Sequence, residues 1–102
     1  MKYEWDENKN TANKKKHHVD FEDAVMVFAD PYRIERYDRS ANNTSGEDRW
    51  QTIGKVGQVL FVCYTERGDV TRLISARIAT SQERRIYNGY RDSRSEDWTE
   101  AH

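Results

Sequence analysis

The sequence predicts an α+β domain: a small antiparallel sheet of three to five strands, preceded by two helices and followed by a C-terminal helix. Helix-capping residues precede two segments near the N-terminus, at Asp6 and Asp20, and one near the C-terminus, at Thr80. The region from Tyr32 to Ile78 contains strand-like stretches that are mostly joined by short turns. Short turns favour antiparallel pairing, so we expect the helices on one face of the sheet and a partly open second face.

The first two helices differ in how strongly their residues predict them. Residues 3–5 can form a short strand, and Asp6 can cap a helix whose sequence is almost wholly polar. The second helix begins after Asp20 and ends before Pro31, because a residue that precedes proline avoids the helical region. Its apolar residues recur at i, i+3, i+4 and i+7, namely Phe21, Ala24, Val25 and Phe28.

Alternating or apolar stretches predict four strands, at residues 32–37, 49–55, 59–64 and 70–78. Asp38–Asp48 is polar and rich in Asn and Ser, which predicts a loop. Gly68 centres the hairpin between the last two strands. On the last strand, alternation predicts that Arg77 lies on the face opposite to Ile74.

The C-terminal helix carries the strongest capping signal in the chain. Thr80 and Glu83 form a Thr-x-x-Glu capping box. We expect a single domain over residues 1–90. Residues 91–102 are polar and mainly acidic with one large apolar residue, Trp98, and should extend the helix raggedly or be flexible.

Composition limits the kind of protein this can be. The chain has 102 residues, 35% hydrophobic and 34% charged, which suits one domain with a small core. Its single cysteine, Cys63, lies in an apolar stretch and is expected to be a buried thiol. No apolar run approaches the length of a membrane span and the N-terminus lacks a signal-peptide core, so we expect a cytoplasmic protein without membrane contact.

Charge is distributed unevenly along the chain. The net charge of −1 argues against a strongly nucleic-acid-binding domain. However, residues 14–18 form a basic block, and residues 67–91 contain six arginines against two acidic residues. Any function that involves phosphate is therefore expected in these two regions.

The residues themselves leave two interpretations of the second basic region. Arg77, held on a rigid strand, could stabilise negative charge that develops on a phosphate. Glu83, Arg84 and Tyr87 follow in the first turns of the next helix. Spacing alone favours a structural interpretation, in which Glu83 only caps the helix, Arg84 and Arg85 are only solvated, and Tyr87 only packs. Neither a metal-ligand spacing nor a phosphate-binding glycine loop is present, so we expect no metal and no cofactor.

Several separated motifs resemble BrnT-type toxins in order and spacing, over roughly residues 3–90. The matching motifs are Trp5-Asp6 with Asn13 and Lys16-His17, Phe21-Glu-Asp-Ala, Val27-Phe-Ala-Asp-Pro31, Arg49-x-x-x-Ile53-Gly54, Val62 to Gly68, and Ile74-Ser-Ala-Arg77-x-Ala79-x-x-x-Glu83-Arg84-x-x-Tyr87. That family usually has Lys-His-Gly where this chain has Lys16-His17-His18. Glycine there would end the helix with a positive φ, a conformation that His18 reaches only at a cost, so the turn can differ here.

The resemblance implies a RelE-like fold and metal-independent RNA cleavage, in which the 2′-hydroxyl attacks the adjacent phosphate. It implies as catalytic candidates Arg77, His17, Glu83, Arg49 and Tyr87. It implies as RNA-binding candidates Lys16 and Arg84, and we add Trp50 as a surface on which a base could stack.

The same resemblance implies a partner. Toxins of this type belong to type II toxin–antitoxin pairs, inhibit translation and growth, and are neutralised by a small BrnA-like antitoxin. The pair represses its own operon, so operator DNA would be contacted only through the antitoxin. An alternative is a non-catalytic module that binds protein and nucleic acid and has lost toxin activity.

Overall fold

The structure, a computed structural model, describes residues 2–40, 46–90 and 97–101. Within these ranges lie nine elements: β1 (Lys2–Glu4), α1 (Glu7–His17), α2 (Phe21–Ala24), β2 (Ile34–Tyr37), β3 (Arg49–Val56), β4 (Gln58–Arg67), β5 (Val70–Ile78), α3 (Ser81–Tyr87) and β6 (Thr99–Glu100). A 3₁₀ helix, Val25–Ala29, continues α2. No helix in the described ranges is long and apolar enough to cross a membrane.

The strands form one mixed sheet in the order β1-β5-β4-β3-β2-β6. All neighbouring pairs are antiparallel except β1 and β5, which run parallel. The predicted α+β class is confirmed, with six strands in the described residues where three to five were expected. The sheet is wider than expected because two short strands, β1 and β6, form its two edges.

The second helix changes its period part-way. Asp20 caps it as predicted, accepting a hydrogen bond from the Glu22 backbone N–H. After Ala24 the chain continues as a 3₁₀ helix, where the sequence predicted α-helix up to Phe28. With three residues per turn, the residues that face the sheet recur at every third position. They are Phe21, Ala24 and Val27, and each is fully buried.

The sheet is covered on both faces. One core packs under α1 and α2 and contains Val19, Phe21, Ala24, Val27, Leu60, Val62, Leu73 and Ala76. The other contains Ile34, Ile53, Phe61, Cys63, Ile86 and Trp98. Successive β4 residues alternate between the two cores, so they lie on opposite faces. The expectation of helices on one face is therefore wrong, because α3, through Ile86, packs on the second face.

A bulge in β5 changes which residues share a face. The pairing with β4 skips Ile74, so β5 carries one extra residue between Leu73 and Ser75. Leu73 packs in the core beneath α1 and α2, whereas Ile74 packs against the opposite core. The prediction that Arg77 faces away from Ile74 is wrong, because a period-2 pattern does not reveal an inserted residue.

The C-terminal segment is held more firmly than its composition predicts. Trp98 is 5% exposed and packs edge-on against Phe61, with 6.3 Å between ring centroids. The Arg36 guanidinium lies 4.4 Å above the Trp98 ring. Residues 97–101 thus differ from the expected ragged or flexible tail, while residues 91–96 lie outside the described ranges.

Trp98→Ala should lower the free energy of unfolding by about 2 kcal/mol, below the usual cost of removing a buried tryptophan, because a short edge segment can detach by itself. Urea unfolding followed by circular dichroism would measure it. The exposed neighbour offers a control, and Thr99→Ala should change stability by less than about 0.5 kcal/mol. Equal stability of Trp98→Ala and the wild type would show that the indole does not anchor this segment.

Candidate active site

Arg77 and Glu83 form a two-armed ion pair where β5 leads into α3. The Arg77 Nη1 and Nη2 atoms lie 2.7 and 2.9 Å from the two carboxylate oxygens of Glu83. Glu83 also completes the predicted capping box, because its Oε1 accepts the Thr80 backbone N–H at 2.9 Å. The guanidinium lies 4.1 Å from the ring centroid of Phe61. The cation is therefore fixed on two sides, by a carboxylate and by an aromatic face.

The pair remains ionised in the folded protein. Burial alone would raise the pKa of the Glu83 carboxyl, but hydrogen bonds from Arg77 and Thr80 bring it below its ordinary value. The hydrogen bond to Glu83 in turn raises the pKa of Arg77 against the opposing effect of burial. The Arg77 side chain keeps 33% of its surface exposed, so a phosphate can reach this fixed cation.

Asn13 attaches α1 to the outer edge of β5. Strand β1 pairs with β5 only as far as Arg72. Beyond that residue, the Asn13 amide hydrogen-bonds the backbone at the edge of β5. Its Nδ2 donates to the Ala76 carbonyl at 2.8 Å, and its Oδ1 accepts the Ala76 N–H at 3.1 Å. Nδ2 also donates to the Val19 carbonyl at 2.9 Å. The last turn of α1 is thereby held beside the strand end that carries Arg77.

His17 lies in that last turn and is half-buried. Burial lowers the pKa of its imidazole below the ordinary value, and the charges of Lys16, Arg77 and His18 lower it further. Because Asn13 holds the last turn of α1 beside the end of β5, His17 and Arg77 lie on neighbouring parts of the fold. A neutral imidazole at pH 7 can accept a proton, which a protonated one cannot.

His18 ends α1 in the left-handed conformation, with φ 60° and ψ 28°. Its backbone N–H donates to the Lys14 carbonyl at 2.9 Å. The chain therefore keeps the type of turn that a glycine would make, with a side chain where that conformation is costly.

Two exposed cations lie at the margin of this cluster. Lys16 precedes His17 in the last turn of α1. Arg84 follows Glu83 in α3, and its Nη1 donates to the Ala79 carbonyl at 2.9 Å. Five of the eight candidates thus lie on the adjoining ends of α1, β5 and α3: His17, Arg77, Glu83, Lys16 and Arg84.

The Tyr87 hydroxyl binds a residue outside the Arg77 cluster, although Tyr87 lies only one turn beyond Glu83. Its hydroxyl donates to Asp30 Oδ2 at 2.5 Å. Burial, followed by the Asp30 carboxylate, raises the pKa of Tyr87 to about 12. Asp30 also accepts the backbone N–H groups of Tyr32 and Lys55. Tyr87 therefore fastens α3 to the turn after the 3₁₀ helix, beside a surface cavity of about 880 Å³.

Arg49 lies on the same face as Arg77 but at the other end of the sheet. Arg49 pairs with Thr65 of β4 and Arg77 with Phe61, so their backbones are offset along β4 by about 13 Å at roughly 3.3 Å per residue. Arg49 forms an ion pair with the buried Asp38, with 3.6 Å between Nε and Oδ2. The Arg49 side chain also contacts Cys63, which lies between Thr65 and Phe61 on this face, so it extends from its own strand in the direction of Arg77.

Trp50 lies on the opposite face of the sheet from Arg77. Its ring is 5.5 Å from that of Tyr37, in an edge-to-face arrangement. A cavity of about 150 Å³ beside it is also lined by Glu35, Tyr64 and Glu66. Two carboxylates make this a poor place for an RNA phosphate, so the predicted stacking surface is separate from the cationic cluster.

Comparison with known proteins decides the family. The sequence profile described as "Ribonuclease toxin, BrnT, of type II toxin-antitoxin system" matches residues 5–83. The chain belongs to this family. The BrnT match runs from the residues before α1 to the first turn of α3, and so includes His17, Arg77 and Glu83.

The fold agrees with a solved BrnT structure. The chain is similar to the crystal structure of the Brucella abortus ribonuclease toxin BrnT, with a TM-score of 0.57 and 26% sequence identity. The match covers 79% of this chain and 99% of that chain. A search of curated proteins finds no significant match.

Sequence reasoning missed three residues that shape this BrnT site. Asn13 and Asp30 stood in the matched motifs, but polar residues that bind backbone groups far along the chain have no spacing signature of their own. Phe61 was predicted only as a buried strand residue, and its position under Arg77 depends on strand register. In the described residues, no three His, Cys, Asp or Glu side chains lie together as a potential metal site.

Proposed function

We propose that this chain is an endoribonuclease toxin that cleaves RNA without a metal ion, by attack of a 2′-hydroxyl on the adjacent phosphodiester. The observation that carries the proposal is the Arg77–Glu83 pair. It holds a permanent, partly exposed cation on a rigid strand, beside the last turn of α1 that carries the half-buried His17. A fixed cation of this kind stabilises charge without reorganising during the reaction.

Each residue of the cluster has a role in this reaction. His17 takes the proton of the 2′-hydroxyl, and the 2′-oxygen forms a bond to phosphorus. Arg77 neutralises the charge on the phosphorane oxygens, and Glu83 keeps its guanidinium in place. The bond to the 5′-oxygen then breaks, and that oxygen gains a proton. The products are a 2′,3′-cyclic phosphate and a 5′-hydroxyl.

The other candidate residues act around the reacting phosphate. Lys16 and Arg84, both exposed, bind flanking phosphates and make RNA affinity sensitive to salt. Arg49, held by the buried Asp38 with 17% of its side chain exposed, adds positive charge to the face that carries Arg77. Tyr87 fixes the orientation of α3 through Asp30 and has no role in proton transfer.

Family membership supports the biological setting of the proposal. A type II toxin implies an antitoxin, which we propose is BrnA-like, binds the toxin in the cytoplasm and alone contacts operator DNA. An acidic antitoxin segment over the Arg77 cluster would block RNA access and suit a toxin whose own net charge is near zero.

The direct test uses the purified chain and a labelled single-stranded RNA in excess EDTA. Cleavage at an undiminished rate is expected, because the proposed groups are all side chains. Loss of cleavage in EDTA, restored by added Mg²⁺, would contradict the metal-free reaction. RNA that is bound but remains intact in either buffer would instead support the non-catalytic alternative.

His17 predicts how cleavage depends on pH. Protonated His17 cannot act as a base, so the single-turnover rate should rise with pH through the pKa of His17. Burial and the charges of Lys16, Arg77 and His18 place that pKa below the ordinary 6.5, so the rise should be complete before neutral pH. His17→Gln should be slower by about 100-fold and lack this rise. If the cleavage rate of His17→Gln rose with pH over the same acidic range as that of the wild type, His17 would be excluded as the base.

A further inference from the structure

His18 has a backbone conformation that few residues other than glycine adopt. Among the residues that the structure describes, positive φ angles occur at four glycines, Gly46, Gly57, Gly68 and Gly89, and at one residue with a side chain, His18. Its φ of 60° and ψ of 28° are those of the left-handed helical region. There the β-carbon crowds the following carbonyl oxygen, which makes the conformation costly for a residue with a side chain.

The fold does not require a histidine at this position. The turn depends on the His18 backbone N–H, which donates to the Lys14 carbonyl, and any residue other than proline provides that group. The His18 side chain is exposed, so burial in the core does not account for the imidazole. Glycine would make the same turn without strain. Strain that the fold does not need is often retained for function, and here it lies next to His17.

The proposed reaction needs a second proton-transfer group, and this step rests on the proposed function. As the departing 5′-oxygen leaves phosphorus, it must receive a proton. Glu83 is ionised and bound to Arg77, and the Tyr87 hydroxyl is bound to Asp30. An alkyl ammonium such as that of a lysine is a far weaker acid than an imidazolium. None of these groups is well suited to protonate the 5′-oxygen.

His18 directly follows His17, the proposed base, at the end of α1. In an in-line displacement the attacking and leaving oxygens are on opposite sides of phosphorus, so base and acid must approach from different directions. The chain changes from the α-helical to the left-handed conformation between His17 and His18. Two adjacent imidazoles can therefore leave the backbone in different directions.

We propose that His18 is the general acid of the RNA cleavage reaction. His17 removes the 2′-hydroxyl proton, the 2′-oxygen bonds to phosphorus, and the bond from phosphorus to the 5′-oxygen breaks. The His18 imidazolium donates its proton to that oxygen as it leaves. Exchange with water then removes the proton from His17 and returns one to His18, so both imidazoles regain their starting states.

His18→Gly separates this role from a structural one, because stability and activity should change in opposite directions. Relief of strain should raise the midpoint of thermal unfolding by about 4 °C. The rate of cleavage should fall by about 100-fold, the usual effect of losing a general acid. His18→Asn, which tolerates the left-handed conformation but carries no titratable proton, should lose the same activity.

A modified substrate identifies the step. In an RNA whose scissile 5′-oxygen is replaced by sulfur, the leaving group is a thiolate that departs without protonation. His18→Gly should cleave this RNA at the wild-type rate, whereas His17→Gln should remain slow on both substrates. Unchanged cleavage of ordinary RNA by His18→Gly, or an equal loss on both RNAs, would overturn the assignment while leaving the proposed function intact. Failure of the wild-type protein to cleave either RNA would overturn both.

Discussion

Replacing Arg77 with alanine should reduce RNA cleavage by at least about 100-fold, the effect of removing one main stabiliser of transition-state charge. Growth arrest on expression of the chain should disappear with it. Arg77 is the cation that Glu83 and Phe61 hold beside His17, and the described structure offers no second guanidinium fixed in the same place. Rates of cleavage of a short RNA at saturating enzyme would measure the change.

Two further variants make this result specific. Arg77→Lys keeps a positive charge but loses the two-armed contact with Glu83, so it should retain only a small part of the activity. Arg72→Ala is the matched control, because Arg72 lies on the same strand and is also bound to a carboxylate, that of Glu4. It should stay within about twofold of wild type, since it lies far from the cluster. Wild-type cleavage by Arg77→Ala, or an equal loss in Arg72→Ala, would contradict the site.

Asn13→Ala should lower the free energy of unfolding by about 3 kcal/mol, a larger loss than that expected for Trp98→Ala. The substitution leaves the N–H and carbonyl of Ala76 and the carbonyl of Val19 without the amide that binds them in a buried setting. For a domain of this size, the midpoint of thermal unfolding should fall by about 15 °C. Urea and thermal unfolding would both report the loss.

The same change elsewhere on the helix provides the control. Asn8 lies in α1 with an exposed side chain, so Asn8→Ala should alter stability by less than about 0.5 kcal/mol. If Asn13→Ala were as stable as Asn8→Ala, the amide would not be holding α1 on the edge of β5. The placement of His17 beside Arg77 would then lose its structural basis.

Local signals in the sequence were sufficient for much of the fold. Strand β5 has the predicted bounds, because the hairpin at Gly68 and the Thr80 cap mark its two ends. The bulge at Ile74 could not be predicted, because alternation does not show an inserted residue. The docking of Trp98 could not be predicted either, since one apolar residue in a polar segment has no period.

For the site, proximity along the chain was predictable and proximity across the fold was not. Arg77 and Glu83 are six residues apart across a strand end and a capping box, so their contact follows from local structure. Tyr87 was grouped with them by helical spacing, but its hydroxyl binds Asp30, which is 57 residues away. Trp50 was assigned to the site, but it lies on the opposite face of the sheet from Arg77. Which residues of β3 and β5 share a face depends on how each strand pairs with β4, and the sequence does not show that pairing.

The chemical nature of the RNA ends, determined after cleavage by the purified chain in excess EDTA, tests the central claim most directly. The proposed reaction predicts a 2′,3′-cyclic phosphate on one fragment and a 5′-hydroxyl on the other, at a rate that chelation does not change. It also predicts that Arg77→Ala forms these ends far more slowly. Fragments with a 3′-hydroxyl and a 5′-phosphate, or cleavage that stops when metal is removed, would contradict a reaction by 2′-hydroxyl attack at the Arg77 cluster.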